Sequence, residues 1–128
     1  MFKWKKSSAT EVVDLAAFAQ RLLHYRQMRV EFFESEAIAA GGWDLLLLLY
    51  SAEPGSVTVG SAARALGVPS ADALSAAERI SHYRLATQGD SPHDWEDIPL
   101  TLTTTGREAL EKYLRQFSRS CEESPTAA

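Results

Sequence analysis

A chain of 128 residues with 45% hydrophobic and 23% charged content suits one globular domain with a single good core, and it excludes fibrous and intrinsically disordered classes. Its lone cysteine, Cys121, rules out an internal disulfide and any zinc site built on several cysteines, so a reducing, cytoplasmic setting is expected. The formal charge of −4 is concentrated in one stretch. Between residues 65 and 100 the acids Asp72, Glu78, Asp90, Asp94, Glu96 and Asp97 meet only Arg79 and Arg84, and the rest of the chain balances.

The opening Met1-Phe2-Lys3-Trp4-Lys5-Lys6 is basic, but no apolar run of roughly 7 to 15 residues follows it, so a secretory signal is not supported. Residues 1–9 are expected as a flexible basic arm. From residue 10 to about 33 there is no Gly or Pro, and Thr10, Glu11 and Asp14 supply a cap and two acids for the positive end of a long helix. Leu15, Phe18, Leu22, Tyr25, Arg29 and Phe32 form one stripe of it, while Val12, Ala19, Leu23, Arg26 and Val30 form a neighbouring one. Such a helix needs cover on more than one side, either from a partner chain or from one broad intramolecular face.

Gly41-Gly42 breaks the chain before residues 43–50, where leucines surround the helix and imply near-complete burial. The leucine run 45–49 is far shorter than the roughly 20 residues needed to span a membrane. Glu53-Pro54-Gly55 makes a turn, residues 57–59 have the β-branched character of a short strand, and residues 60–66 read as a small helix with Ala63 and Leu66 inward. Gly67-Val68-Pro69 ends it sharply.

The next helix is predicted over 70–84, with Ala73, Leu74, Ala77, Ile80 and Tyr83 inward and Ser70, Ala71, Asp72, Ser75, Ala76, Glu78 and Arg79 outward. A strand at 85–88, a polar loop to Asp97 and an alternating strand at 98–103 read as a hairpin. Pro99 lacks an N–H, so its strand is expected at an edge or with the Pro99 side open to solvent. Thr104 or Thr105 caps the last helix, which runs to about 120. Leu110, Tyr113, Leu114 and Phe117 form its stripe, and Glu108–Lys112 and Glu111–Arg115 its ion pairs. Residues 121–128 have nothing to bury and are expected to be disordered.

The order strand, helix, Gly-Val-Pro turn, helix and hairpin, followed by Leu102-Thr103-Thr104-Thr105-Gly106-Arg107-Glu108, resembles the MarR-type winged-helix transcriptional regulators over roughly residues 43–114. In that family a T-x-x-G segment leaves the second wing strand and starts the C-terminal helix, matched here by Thr103 to Gly106. The resemblance implies a mainly α fold with a small β-hairpin wing. By the same resemblance, residues 1–128 are expected to form a single winged-helix domain, with a core at 43–104 and long helices at 10–34 and 105–120 that pair two copies into a homodimer. It also implies that residues 70–84 are the recognition helix, whose N-terminal half enters the major groove.

The charge opposes that role. Readers of DNA present Arg, Lys, Gln, Asn or Thr on this helix, because bidentate bonds to purine edges need long or forked donors. Here Ser70, Ala71 and Ser75 are short, Asp72 and Glu78 have the wrong sign, and His93 is the one cationic candidate in the wing at 89–97. Arg64, Arg79, Arg84 and the Lys3, Lys5, Lys6 arm are left as phosphate contacts, so DNA binding is expected but weak. The alternative is a winged helix that has exchanged DNA for a basic protein partner, using Asp90, Asp94, Trp95, Glu96 and Asp97, with Trp95 either as an anchor or packed on its own domain.

His82 and His93 with the wing acids show no metal-ligand spacing, and no nucleophile elbow, phosphate-cradling glycine loop or zinc-protease pair is present, so no enzyme, metal or cofactor is expected. In ligand-sensing members, the resemblance implies, His24, Tyr25 and Met28 would border a small-molecule pocket. Core or dimer packing is their other use.

Overall fold

The computed structural model describes residues 9–90 and 93–122, with side chains over 14–90 and 93–119. Residues 1–8 of the basic arm, 123–128 of the tail and the capping side chains at Thr10 and Glu11 lie outside these, while Ala9, Cys121 and Glu122, expected in the arm and the tail, are helical. Helix α1 spans Ala9–Met28 and gives way to a 3-10 turn at Arg29–Glu31, where the sequence predicts one helix to 33. Tertiary packing overrides the local preference there. The N–H groups of Phe32 and Phe33 both turn onto the Arg29 carbonyl at 3.0 Å. The Phe32 ring then stands edge-on to Tyr113 and the Phe33 ring edge-on to Trp43.

A one-turn helix α2, Ser35–Ile38, and the buried leucine helix α3, Gly42–Ser51, follow. Val59, expected in a strand, instead opens α4, Val59–Leu66, so β1 is only Val57–Thr58. A reciprocal cap explains the switch: Ser61 N–H donates to Thr58 Oγ1 at 3.1 Å, and Thr58 N–H donates to Ser61 Oγ at 2.8 Å. Gly67, at φ +70, lets Val68 N–H return to the Ala63 carbonyl at 3.0 Å and ends α4.

Helix α5 spans Ser70–His82, two residues shorter than predicted. It ends as α4 does, with Arg84 at φ +64 and with Leu85 N–H on the Ile80 carbonyl and Arg84 N–H on the Ser81 carbonyl, both at 2.9 Å. Because the left-handed residue is an arginine, the usual glycine signal for that ending is missing. Ala76, expected outward, is 3% exposed. Helix α5 is flanked by α4 on one side and by α2 and α3 on the other, which widens its buried arc to include Ala73, Ala76, Ala77 and Ile80.

Strands β2, Ala86–Gln88, and β3, Pro99–Leu102, pair antiparallel, and β1 joins them in the order β1-β3-β2. The strand carrying Pro99 is therefore central rather than an edge. Pro99 is tolerated because it is the first residue of β3, one position beyond the last residue of β2, and its carbonyl still accepts the Gly89 N–H at 2.8 Å. The six largest fully buried side chains, Leu45, Leu46, Val59, Ile80, Leu100 and Leu110, come from α3, α4, α5, β3 and the last helix and make one core.

That last helix, α6, spans Thr104–Glu122. Its cap is Thr103, one residue before the expected pair: Thr103 Oγ1 accepts the Gly106 N–H at 2.9 Å and donates to the Arg84 carbonyl at 2.7 Å. Gly106 is buried there because a Cβ would collide with the Leu85 carbonyl. The T-x-x-G segment thus welds the entry of β2 to the first turn of α6. Further along α6, Tyr113 donates to the Tyr25 carbonyl at 3.2 Å and Phe117 packs on the Tyr25 ring at 4.2 Å between centroids. The end of α1, at Tyr25 and Met28, rests on this surface. Leu15, Phe18, Leu22 and Leu23, farther up the helix, are about half exposed.

Gly106→Ala should destabilise the fold by about 3 kcal/mol through forced displacement of the Leu85 backbone, whereas Gly55→Ala, at φ +81 with open space around it, should cost only about 1 kcal/mol. Urea unfolding of both variants checks this; equal losses would show that the weld is not tight.

Candidate nucleic-acid interface

Helices α4 and α5 with the turn between them make a helix-turn-helix, and the first two turns of α5 leave Ala71, Asp72, Ser75 and Glu78 exposed, with Ser70 half-buried. This is the face a recognition helix turns to a major groove. It has no long donor. Asp72 lies in the first turn of α5, where the helix end favours a carboxylate, so local helix stability explains an acid that groove chemistry does not.

Arg79 points elsewhere. Its Nη2 donates to the carbonyls of Ala39 at 3.2 Å and Ala40 at 2.7 Å, in the connection between α2 and α3, and its Nε is enclosed without a partner. Ala40 sits at φ +45, a left-handed conformation that costs a non-glycine residue about 1 kcal/mol or more. The guanidinium holds that strained turn against α5. No sequence signal marks this use, because the acceptors are backbone carbonyls of two alanines.

The remaining candidates are scattered. Arg64 is exposed in the last turn of α4, and its Nη1 folds back to 3.7 Å from where a Gly60 Cβ would stand. Arg84 is exposed at the opposite end of α5 from Ser70, about 20 Å away along a 13-residue helix. His93 is exposed in the wing. These residues do not gather into one basic patch.

The wing is short and bent inward. After Asp94 the chain makes a 3-10 turn, Trp95–Asp97, in which Glu96 N–H donates to Asp94 Oδ1 at 3.1 Å. The turn rests on the start of α4: Val59 N–H donates to the Ile98 carbonyl at 3.0 Å, and the Glu96 carbonyl lies 3.2 Å from where a Gly60 Cβ would be. The backbone of Glu96 therefore lies against the first turn of α4. Asp90, Asp94 and Asp97 are exposed, Glu96 is half-buried, and Trp95 keeps 42% of its surface in solvent.

A separate cavity of about 570 Å³ lies where the 3-10 turn after α1 meets the exit of α5, lined by Phe32, Phe33, Glu34, Tyr83 and Leu85 among others. His24, Tyr25 and Met28 do not line it: Tyr25 and Met28 are core, and His24 is exposed. Tyr83 donates to Glu36 Oε1, and that bond, with the Glu36 and Glu34 charges, raises the phenol above its ordinary range. Among the described residues, no group of three His, Cys, Asp or Glu side chains is placed to hold a metal ion, and no helix is long and apolar enough to cross a membrane.

No protein-family model matches the chain, and no curated protein matches it in sequence. Solved structures do. A mutant of Staphylococcus aureus MepR superposes with a TM-score of 0.70 at 13% identity, covering 95% of this chain and 85% of that one. Staphylococcus aureus MarR in complex with salicylate and kanamycin gives 0.65 at 19% identity, over 93% and 80%. The chain has the MarR-type winged-helix fold. The Staphylococcus aureus MepR–DNA complex shares it as well, with a TM-score of 0.65 at 15% identity over 88% of each chain. Within this frame, Arg79 of α5 is half-buried and bonded to the carbonyls of Ala39 and Ala40, and the turn at Trp95–Asp97 rests on the start of α4.

Arg79→Gln should lower stability by about 1 to 3 kcal/mol, because it takes the guanidinium donor from the Ala40 carbonyl of a strained turn and a second donor from the Ala39 carbonyl, which keeps the Gly42 N–H. The same variant should leave the salt slope of duplex affinity unchanged, since a lost phosphate contact would flatten it by about 0.9. Parallel unfolding and anisotropy measurements decide; a flattened slope at unchanged stability would place Arg79 on DNA.

Proposed function

We propose that this chain works as a homodimeric winged-helix transcriptional regulator whose grip on DNA is weak. The observation that carries the reading is the bare N-terminal half of α5, standing beside a wing in a helix-turn-helix; the DNA complex of a protein with this fold supports it. In this reading Ser70, Ala71 and Ser75 face base edges, while Arg64, Arg84 and His93 supply phosphate contacts from the periphery. The uncovered Leu15, Phe18, Leu22 and Leu23 of α1 support a second copy as their cover. Burying such side chains fully is worth about 1.5 to 3 kcal/mol each, so half-exposed ones from two chains contribute several kcal/mol to pairing.

A second reading, a DNA-independent interaction module, is favoured by Trp95, an aromatic side chain left 42% exposed in the middle of an acidic turn. In that case a basic protein partner is retained on immobilised protein and released by D94N/E96Q/D97N.

Fluorescence anisotropy with a labelled duplex at about 50 mM salt separates the two. The regulator reading expects saturable binding that strengthens at least threefold in D94N/E96Q/D97N, since three repelling charges are removed; no saturable binding in either protein would end it. Sedimentation equilibrium should show a dimer that Phe18→Asp converts to monomer. A monomeric parent protein would remove the role given to α1.

A further inference from the structure

We infer that the flank of α5 turned toward α2 and α3 is a docking trough for a basic, amphipathic segment of a partner protein. It goes beyond both readings above in its occupant: it shares Asp72, Ser75 and Glu78 with the groove-facing side of α5, adds the flank formed with α2 and α3, and uses nothing of the wing. Two hollows lie along this flank. One of about 580 Å³ has Leu45, Ala73 and Ala76 as its floor, Leu66 and Val68 as walls, and Asp44 and Asp72 at its rim. The other, of about 530 Å³, has Glu36, Glu78 and His82 at its rim. They share Ala40, Ser75 and Arg79, so they form one trough divided by the Arg79 side chain.

Three features fix the occupant. Small side chains at Ala40, Ala73, Ala76 and Gly41 let another chain approach the helix closely, and Val68, at 37% exposed, is the one large aliphatic side chain of the helix-turn-helix left open among the described residues. The rim carries four carboxylates, Glu36, Asp44, Asp72 and Glu78, against one arginine whose Nη2 is already bonded to two carbonyls. Asp72 and Glu78 are six residues apart on one helix, about 9 Å along its axis and about 120° apart around it, so each carboxylate borders a different hollow and meets a different basic side chain of the incoming segment. Apolar side chains facing the floor and Lys or Arg facing the rim make the complement; a polyanion does not.

The test uses the full-length protein and a fluorescein-labelled amphipathic helical peptide of leucine and lysine, with the glutamate-for-lysine peptide of equal length as control. The lysine peptide should bind saturably and the glutamate peptide should not. Asp72→Asn with Glu78→Gln should weaken binding at least fivefold, and so should the exposed-site change Val68→Ser, while D94N/E96Q/D97N should leave it within twofold. Far-ultraviolet circular dichroism of each variant guards against misfolding. Unchanged affinity in both trough variants, or an equal loss in the wing variant, would overturn the inference.

A fivefold gain in peptide affinity when Lys3, Lys5 and Lys6 become Glu would also overturn it, by showing that the chain's own arm fills the trough. Duplex affinity of the Asp72/Glu78 variant is read alongside. The regulator reading expects it to rise as peptide affinity falls, so the two fail separately.

Discussion

The bond from Arg79 to the carbonyls of Ala39 and Ala40 is the interaction on which much of the molecule turns. It holds the strained connection between α2 and α3 against the middle of α5 and so fixes where the recognition helix stands. The same bond withdraws the one arginine in the body of that helix from its outer face. A structural need and a functional need compete for one side chain, and the structural one holds it. The Ala39 carbonyl also accepts the Gly42 N–H at 2.9 Å, so releasing the guanidinium to a phosphate would cost chiefly the shorter bond to the Ala40 carbonyl and the support of a left-handed alanine.

The wing follows a similar logic. Its acids are repelled by a polyanion, yet Asp94 closes its own turn by accepting the Glu96 N–H, and the Glu96 backbone packs on the start of α4. Folded this way, the turn lies over the first residues of a helix that in related docking geometries crosses the nucleic-acid backbone. Shape and charge are therefore at odds: the MarR-type frame offers a helix to the groove, while its skin offers few contacts to hold it there.

The order of the elements was legible because punctuation and periodicity agree with the packing. Gly67-Val68-Pro69 splits α4 from α5, Leu45, Leu46 and Leu49 of α3 enter the core while Leu47 and Leu48 stay half-buried, and Thr103 with Gly106 starts α6. What the sequence concealed depends on tertiary contacts. Arg84 ends α5 in a conformation that glycine usually announces, and Phe32 and Phe33 unwind the end of α1 to reach Tyr113 and Trp43. Ala76 is inward because α5 has neighbours on two sides. Of the candidate site, the acids and short side chains at 70–78 were readable one by one. The direction of Arg79 and the inward bend of the wing were not, because both are set by backbone acceptors and donors elsewhere in the chain.

Counterion release offers the most direct measure of how this surface meets DNA. In the protein with Lys3→Gln, Lys5→Gln and Lys6→Gln, which removes the basic arm, and with Arg64 and Arg84 from each subunit of the proposed dimer as the principal phosphate contacts, the slope of log affinity against log salt should be no steeper than about 4, at roughly 0.9 per contact. Anisotropy titrations across about 25 to 200 mM salt would give that number. A slope steeper than about 6 would require more cations on the duplex than this surface presents, and would contradict the account of a recognition face stripped of positive charge.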